Sequence, residues 1–402
     1  MRGKTGQGHA IDERVRQETV ALAQSLVRIP SANPPGGEHE IAVFLRDLLA
    51  RDGIEARLIP LEEGRSSLLA RIPGEEPGSL VLCGHLDTVA ADDEGWSVPP
   101  FGGEVRGGRL YGRGTADMKG GVAVLVTVVR LVAAGRLRPR KDVVLTLTAD
   151  EEGAYRGAAS LATSGLGDDA ELLLIAEPTG GEVYVGEKGE LWVDAHFCGE
   201  AAHGSVPEMG RSAVLPACAF ALRLVQAVAA LPSGTGEGRT SLNVGEFRGG
   251  WRVNVVPDRA EVRLDFRVLA DEDRIHSLDL VDRLGQEEAE RAGVSFSSRV
   301  VSYQPPIASD SRHPWVQRFL AAAGVSPEEA GRAPFCTDAV ALLPRLQVPL
   351  VIYGPGTIGQ AHRPDEYVEL ASLYAALETL ARFLDDEEGV ERGAGRKPIG
   401  KG

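Results

Sequence analysis

The sequence predicts an α/β protein in which helices cover both faces of a parallel or mixed sheet, with a smaller α+β domain inserted into it. The chain has 402 residues, more than a single hydrophobic core usually organises, so two domains are expected. Short apolar runs without alternation are typical of strands buried on both faces. A central region alternates instead, which is typical of a sheet with one exposed face.

The buried strands and the helices of the larger domain follow from these patterns. Four apolar runs are bounded by Gly, Pro or charged residues: "SLVLCG" (79–84), "DVVLTLTA" (142–149), "ELLLIA" (171–176) and "VPLVIYG" (348–354). Apolar residues recur at helical spacing over 12–28, 38–52, 119–134 and 366–385. Strands of this kind interspersed with helices predict three layers, with the sheet in the middle.

The inserted domain is indicated by two alternating strands, "ELWVDAHFCG" (190–199) and "RAEVRLDFRV" (259–268). Amphipathic helical patterns lie among them, at about 209–230 and 272–290. One sheet face covered by two helices is therefore expected. The predicted organisation is a larger α/β domain of 10–187 plus 304–386, an inserted domain of 188–303, and disordered Gly- and charge-rich tails at 1–9 and 387–402.

Composition excludes several classes of function. The net charge of −15 argues against a nucleic-acid partner, because binding to phosphates needs a basic face. No apolar stretch reaches the ~18 residues of a membrane span, and the N-terminus has no apolar signal segment. The four cysteines form no C-x-x-C pair, which favours reduced thiols. We therefore expect a cytoplasmic protein without a membrane partner.

Polar clusters follow each of the four buried strands. His85 and Asp87 come after the first, Glu151 and Glu152 (with Asp150) after the second, Glu177 after the third and His362 after the fourth. In open α/β sheets the functional crevice lies beyond the carboxyl ends of the strands. These side chains are therefore expected to converge.

A fifth contribution comes from Asp117 in the Gly-rich loop "GRGTADMKGG" (112–121), just before a helix. Two imidazoles and several carboxylates make a ligand set that suits zinc first, with cobalt or manganese as possible substitutes. One ion would need three protein ligands, whereas five separate segments offer candidate ligands. The sequence therefore predicts two divalent ions that share a bridging carboxylate.

Each of these residues also has an ordinary interpretation when it is taken alone. The Asp-Glu-Glu run could stabilise a helix N-terminus, and Asp117 could be a helix N-cap. His85 could be a satisfied core histidine, and His362 a surface loop residue. Asp87 lies on the same side of an extended segment as His85, so it could orient that imidazole or only begin a turn. The joint placement at strand ends favours a site.

The order of these motifs resembles the dinuclear-zinc amidohydrolases and exopeptidases. This family includes acetylornithine deacetylase, succinyl-diaminopimelate desuccinylase, aminoacylases and glutamate carboxypeptidases. The resemblance runs from "SLVRIPSANPPGGE" to "AHRPDEYVEL", nearly the whole chain. The late segment "GPGTIGQAHRPDEYVEL" looks most like the acetylornithine deacetylase branch and departs from the desuccinylase pattern.

The resemblance implies an aminopeptidase-like catalytic domain with an inserted lid domain that forms a homodimer. It implies that His85 and Glu177 bind one metal ion, that Glu152 and His362 bind the other, and that Asp117 bridges them. It also implies that Asp87 orients His85 and that Glu151 is the general acid and base. A cis peptide bond after Asp117 belongs to the same pattern.

Substrate-binding residues are implied in the inserted domain. "EAAHGSVPEMG" looks like the segment whose histidine reaches the active site of the partner subunit, which makes His203 a candidate stabiliser of the oxyanion. "RVNVVPDRAEVRLDFR" resembles the stretch that supplies Asn254 and Arg267 to a substrate carboxylate. Arg267 also lies on the polar face of an amphipathic strand, where a solvated arginine is ordinary.

The function implied is hydrolysis of the amide bond of an N-acyl amino acid, as in acetylornithine deacetylase. Release of a C-terminal amino acid by a carboxypeptidase or dipeptidase remains the alternative. A dinucleotide-binding protein is a remote alternative, since "GPGTIG" (354–359) fits G-x-G-x-x-G but opens no βαβ unit. A non-catalytic binding protein on the same fold is also remote, because every motif position is filled.

Overall fold

A computed structural model of the chain describes residues 11–91, 94–231 and 238–385. The predicted disordered tails, 1–9 and 387–402, lie outside this range. The chain divides into two compact units. The first comprises the chain up to Val185, Ser309–Gly331 and the chain from Thr337, and the second comprises Gly186–Ala308 and Arg332–Cys336.

The helices of the described residues are α1 (Glu13–Val27), α2 (Glu38–Arg51), α3 (Gly120–Ala133), α4 (Arg156–Thr163), α5 (Val214–Ala229), α6 (Asp271–Ala292), α7 (Pro314–Ala323), α8 (Ala339–Leu346) and α9 (Leu370–Leu384). Single helical turns occur at Pro207–Met209 and Ile358–Gln360. Thr115–Lys119 forms an irregular turn in which Asp117 and Met118 depart from helical φ and ψ angles. None of the helices in the described ranges has both the length and the hydrophobicity that crossing a membrane requires.

The strands are β1 (Ala56–Glu62), β2 (Arg65–Ile72), β3 (Glu76–His85), β4 (Glu104–Arg106), β5 (Arg109–Tyr111), β6 (Lys141–Thr148), β7 (Ala170–Ile175), β8 (Tyr184–Glu187), β9 (Gly189–Cys198), β10 (Ser241–Gly249), β11 (Arg259–Val268), β12 (Ser295–Gln304), β13 (Ile307–Ala308), β14 (Gly331–Ala333), β15 (Leu350–Ile352) and β16 (Tyr367–Glu369).

The first unit is built on a mixed sheet with the order β1-β2-β6-β3-β7-β15-β8. Its centre is parallel, because β3 pairs in parallel with β6 and β7, and β15 pairs in parallel with β7. The strands on either side are antiparallel. Since β6, β3, β7 and β15 all end at the same edge, the segments that follow them are brought together there.

Helices cover both faces of this sheet, which explains the absence of alternation in its central strands. Leu80 and Leu82 of β3 belong to the core shared with α1, α2, α3, α7 and α9. Val81 and Cys83 point to the other face and are equally buried. The helices α4 and α8 pack there, against each other and against the sheet. The predicted α/β fold class with three layers is confirmed.

The second unit contains an antiparallel sheet with the order β10-β11-β9-β12. Its inner face, which includes Phe197, Phe266 and Leu264, is buried under α5 and α6. Its outer face carries the charged residues of β11, namely Glu261, Arg263, Asp265 and Arg267. This is the α+β arrangement that the alternating strands predicted.

Two helix starts and the domain boundaries differ from the sequence prediction. The helix predicted from 366 begins at Leu370, because Tyr367–Glu369 pair with β5 instead. The helix predicted from about 209 begins at Val214, since Pro207–Met209 form a separate turn. The second unit includes residues 186–187, 304–308 and Arg332–Cys336, which the sequence analysis assigned to the larger domain. Within this unit, the carbonyl of Ala333 accepts the backbone N–H of Lys188 at 3.0 Å.

Candidate metal centre

The predicted metal ligands all lie in the first unit, at the carboxyl edge of its sheet. His85 is the last residue of β3, and Glu177 follows β7 by two residues. Glu152 lies in the turn after β6, while His362 lies in the loop after β15. Asp117 lies in the irregular turn Thr115–Lys119, immediately before α3. The parallel centre of the sheet therefore brings together segments that are far apart in the chain.

Two glycines allow these segments to approach closely. A Cβ atom on Gly121, in the first turn of α3, would come within 2.1 Å of the carbonyl oxygen of Ala176. A Cβ atom on Gly354, after β15, would come within 2.2 Å of the same oxygen. Ala176 directly precedes Glu177. A side chain at either position would clash with this oxygen, so glycine is required at both.

Asp117 lies between the two histidines. Its Oδ1 atom is 3.0 Å from Nε2 of His85, and its Oδ2 atom is 3.2 Å from Nε2 of His362. A carboxylate that turns one oxygen toward each imidazole has the arrangement of a ligand shared by two metal ions. The peptide bond between Asp117 and Met118 is cis, as the resemblance implied.

Each histidine has a second carboxylate neighbour. Oε1 of Glu177 is 3.7 Å from Nε2 of His85, whereas Oε1 of Glu152 is 3.0 Å from Nε2 of His362. Two groups of three therefore share Asp117. We name the group of His85, Asp117 and Glu177 the first ligand group, and the group of His362, Asp117 and Glu152 the second ligand group.

Glu151 lies beside the first ligand group. Its Oε2 atom is 4.0 Å from Nε2 of His85, and its side chain is one-tenth exposed. Burial raises the pKa of Glu151 well above its usual value. The charge of His85 opposes that shift, and the charges of Glu177 and Glu152 add to it. A carboxylate with a raised pKa can hold a proton near neutral pH, as a general acid and base must.

The electrostatics of the ligand groups fit divalent cations. Burial raises the pKa of Glu177 well above its usual value. Hydrogen bonds to Asp117 and Glu152 raise the pKa of His362 to about 10. Burial opposes ionisation of Asp117, but hydrogen bonds from both imidazoles lower its pKa. Several carboxylates are thus crowded around two imidazoles, a cluster that bound cations would neutralise with the nitrogen and oxygen ligands they prefer.

Asp87 orients His85 by a different atom from the one expected. Nδ1 of His85 is 2.9 Å from the backbone carbonyl oxygen of Asp87, but 3.9 Å from its carboxylate. The carboxylate instead accepts hydrogen bonds from the backbone N–H groups of Glu151 and Glu152, at 3.2 and 3.1 Å, and from the side chain of Asn33 at 2.9 Å. The main chain of Asp87 therefore orients the imidazole, while its side chain holds the turn after β6.

Asp150, the first of the three consecutive acids, is held by cations of the protein. Its carboxylate is 3.0 Å from Nη1 of Arg65 and 2.5 Å from Nε of Arg156, and it accepts a hydrogen bond from Asn33 at 3.0 Å. Its φ angle of 69° places it in the left-handed region, which turns the chain sharply after β6. Asp150 therefore stabilises the turn.

Three residues of the site were missed from the sequence: Asn33, Asp338 and Glu366. The side-chain amide of Asn33 bridges Asp87 and Asp150. Asp338 is buried at the start of α8, with one carboxylate oxygen on the hydroxyl of Thr148, and burial raises its pKa to about 7. Asn33 and Glu366 fall inside the motifs on which the resemblance was based, and this position was the signal that could have identified them.

The implied substrate-binding residues all lie in the second unit. His203 and Asn254 are exposed on adjacent segments, where the backbone N–H of Gly204 donates to the carbonyl of Asn254 at 2.8 Å. Nδ1 of His203 is 3.2 Å from the backbone nitrogen of Ser205, whose N–H points to it, and 2.7 Å from the hydroxyl oxygen of the same residue. Arg267 pairs with Glu190 and Asp265 at 3.2 and 3.0 Å, so it is not an isolated solvated arginine.

Comparison with known proteins supplies the family. The model of peptidase family M20/M25/M40 matches residues 81–386. The chain belongs to this family. It is therefore a hydrolase of the M20 type that acts on amide bonds, and the resemblance found in the sequence is confirmed.

Relatives in this family carry two different activities in their names. The chain is 30% identical over 386 residues to a probable succinyl-diaminopimelate desuccinylase of Staphylococcus epidermidis, covering 88% of this chain and 93% of the relative. It is 32% identical over 376 residues to an acetylornithine deacetylase of Edwardsiella ictaluri, covering 87% and 92%.

Solved structures of the family share the fold. A tripeptidase from Staphylococcus aureus is 22% identical, with a TM-score of 0.75 over 92% of this chain and 97% of its own. A dinuclear metal binding M20 peptidase from Bacillus subtilis is 16% identical, with a TM-score of 0.68 over 93% and 98%. At these identities the likeness shows the fold of this M20 family member.

Proposed function

We propose that the protein hydrolyses the amide bond of an N-acyl amino acid with the help of two divalent metal ions, zinc being favoured over cobalt or manganese. The observation that carries this proposal is the position of Asp117, whose two carboxylate oxygens lie 3.0 and 3.2 Å from Nε2 of His85 and Nε2 of His362. The named activities of the relatives support the substrate class, because both desuccinylation and deacetylation remove an acyl group.

The two ligand groups would hold the ions, with Asp117 as the shared ligand. When bound, such ions supply Lewis acidity and lower the pKa of a coordinated water. Glu151 would take the proton from the attacking water, because it lies beside His85 but is not needed as a ligand in either group. It would then return that proton to the leaving amine.

Substrate binding would fall to residues of the second unit. The Nε2–H group of His203 would donate to the oxyanion that develops on the amide carbonyl, and the contacts of Nδ1 with Ser205 support this because they leave Nε2 available to the substrate. Arg267 and Asn254 would bind the carboxylate of the amino-acid part of the substrate.

A homodimer formed through the second unit belongs to the same proposal. The outward face of α5 exposes Leu215 and Leu222, at 71% and 68%, which supports an interface because large apolar side chains there would gain from burial. The paired substitution Leu215→Glu and Leu222→Glu should convert a dimer into monomers in sedimentation velocity. Monomeric wild-type protein would contradict the dimer.

The substrate test is a panel of N-acetyl and N-succinyl amino acids and dipeptides, assayed after loading with zinc, cobalt or manganese. Hydrolysis of acyl amino acids with low activity on dipeptides is the expected result. The alternative is a carboxypeptidase or dipeptidase, which the solved tripeptidase fold keeps open, and preferential cleavage of dipeptides would establish it. Failure of the metal-loaded protein to hydrolyse any amide would overturn the proposal.

A further inference from the structure

Glu366 is a buried carboxylate between the two loops that carry Asp117 and His362. Its Oε1 atom accepts the backbone N–H groups of Ala116 and Asp117, at 2.9 and 3.2 Å. Its Oε2 atom is 2.6 Å from Nη1 of Arg113, and the side chains of Glu366 and Arg113 are 1% and 5% exposed. The carboxylate of Glu366 thus contacts the loop that carries Asp117. In the chain, Glu366 follows His362 by four residues.

Arg113 is itself held in place on several sides. Its guanidinium carbon lies 5.3 Å from the ring centroid of Trp96, within the range of a cation–π contact. Its Nη1 atom is also 3.5 Å from the carbonyl oxygen of Arg363, the residue after His362. Arg113 therefore connects Glu366 with the loop of His362 as well as with its own loop.

The main chain fixes the same two loops side by side. The strands β5 and β16 pair antiparallel, with Tyr111 opposite Tyr367. Beyond this pair, the backbone N–H of Gly112 donates to the carbonyl of Glu366 at 2.9 Å. The side-chain contacts of Glu366 then extend the connection from the strand pair to Asp117. The main chain and the side chain of Glu366 therefore both contribute to the relative position of Asp117 and His362.

The second ligand group depends on this connection more than the first does. Asp117 and His362 both belong to the second group, and both loops meet at Glu366. In the first group, His85 ends a central strand and has its own hydrogen bond to the carbonyl of Asp87. Loss of the Glu366 carboxylate would free the Asp117 backbone N–H and leave Arg113 buried without its carboxylate partner.

We propose that Glu366 is a positioning residue that sets the separation of Asp117 and His362, and hence the metal affinity of the second ligand group. This inference rests on the proposed function, because it takes the two ligand groups as metal sites. Residues that orient metal ligands typically change metal affinity about 10- to 100-fold when they are substituted.

The test is titration of the metal-free full-length protein with Zn²⁺ against a chromogenic chelator, which resolves a tighter and a weaker ion. Glu366→Ala should weaken one of the two ions about 10- to 100-fold and leave the other within about threefold. Glu366→Gln, which keeps an oxygen for the two N–H groups but loses the charge, should weaken the same ion by less. Glu369→Gln, an exposed neighbour on β16, is the matched control and should bind both ions normally.

The outcomes separate this inference from the proposed function. An equal loss at both ions, or no loss in Glu366→Ala, would overturn the positioning role. If Glu366→Ala does not fold, Arg113→Lys tests the same connection, and unchanged affinity for both ions in that variant would overturn it. Wild-type protein that binds fewer than two Zn²⁺ ions would instead contradict the proposed function, and this inference with it.

Discussion

The carboxylate of Asp87 accepts the backbone N–H of Glu152 at 3.1 Å, and it also accepts that of Glu151 at 3.2 Å. One buried side chain therefore holds the turn in which two adjacent glutamates face different neighbours. Glu152 is 3.0 Å from His362, whereas Glu151 is 4.0 Å from His85. This turn allows consecutive residues of the same type to take different roles.

The roles proposed for the two glutamates can be tested separately by matched substitutions. Glu151→Gln should bind both metal ions yet lower kcat about 10²- to 10⁴-fold, because it removes the proton acceptor. Glu152→Gln should instead lose one ion, because it removes a ligand of the second group. Metal content by mass spectrometry and steady-state kinetics check both. Near-normal turnover of Glu151→Gln would mean that the two roles are assigned wrongly.

Asp87→Asn should destabilise the turn without abolishing metal binding at His85. The substitution replaces one acceptor oxygen by an amide nitrogen, so the partly buried backbone N–H of Glu151 or Glu152 loses its partner, at a cost of about 1–3 kcal/mol. The carbonyl that orients His85 is retained. The free energy of unfolding in denaturant and kcat should both fall. The control, Asp47→Asn at an exposed position, should change stability by less than about 0.5 kcal/mol. Wild-type stability of Asp87→Asn would argue against the role of this carboxylate in the turn.

Asp338 should make the metal-free protein less stable as the pH rises. Burial raises its folded-state pKa to about 7 from the ordinary 3.8, so the folded state binds more protons than the unfolded state between these values. The stability contributed by this protonation is therefore present at low pH and lost as the pH rises through 7.

Asp338→Asn removes this titration and provides the measurement. From pH 5 to pH 8 the unfolding free energy of the variant should gain roughly 2–3 kcal/mol relative to wild type. Asp168→Asn, at an 88% exposed position, is the control and should track wild type. A difference between Asp338→Asn and wild type that does not vary with pH would show that Asp338 is not the titrating group.

Removal of the metal ions should lower the melting temperature. Without cations, the carboxylates of the two ligand groups and Glu151 repel one another in a buried site. Restoring an ion at 100 times its Kd should contribute about 2.7 kcal/mol per site. Calorimetry of chelated and zinc-reloaded protein measures this gain, which should be about halved in Glu152→Gln. Equal melting temperatures with and without zinc would contradict a metal site here.

Much of the fold could be predicted because its signals are local. The apolar run at 79–84 lies inside β3, and the alternation over 259–268 coincides with β11. These patterns indicate whether a strand is buried on two faces or on one, and they can be recognised from residues that are neighbours in the chain. The predicted start of α9 was wrong because Tyr367 pairs with Tyr111, 256 positions away, and this pairing overrides the helical pattern there.

By itself, the sequence determined the fold class and the family, and it supplied the candidate metal ligands, since strand ends, residue types and motif order are all written along the chain. Only the tertiary structure decided which atom serves which purpose. The main chain rather than the carboxylate of Asp87 orients His85, and Glu366 contacts Asp117 across a separation of 249 residues. The physical reason is that a buried polar group must find its hydrogen-bond partner in space, and local sequence patterns do not specify which distant residue provides it.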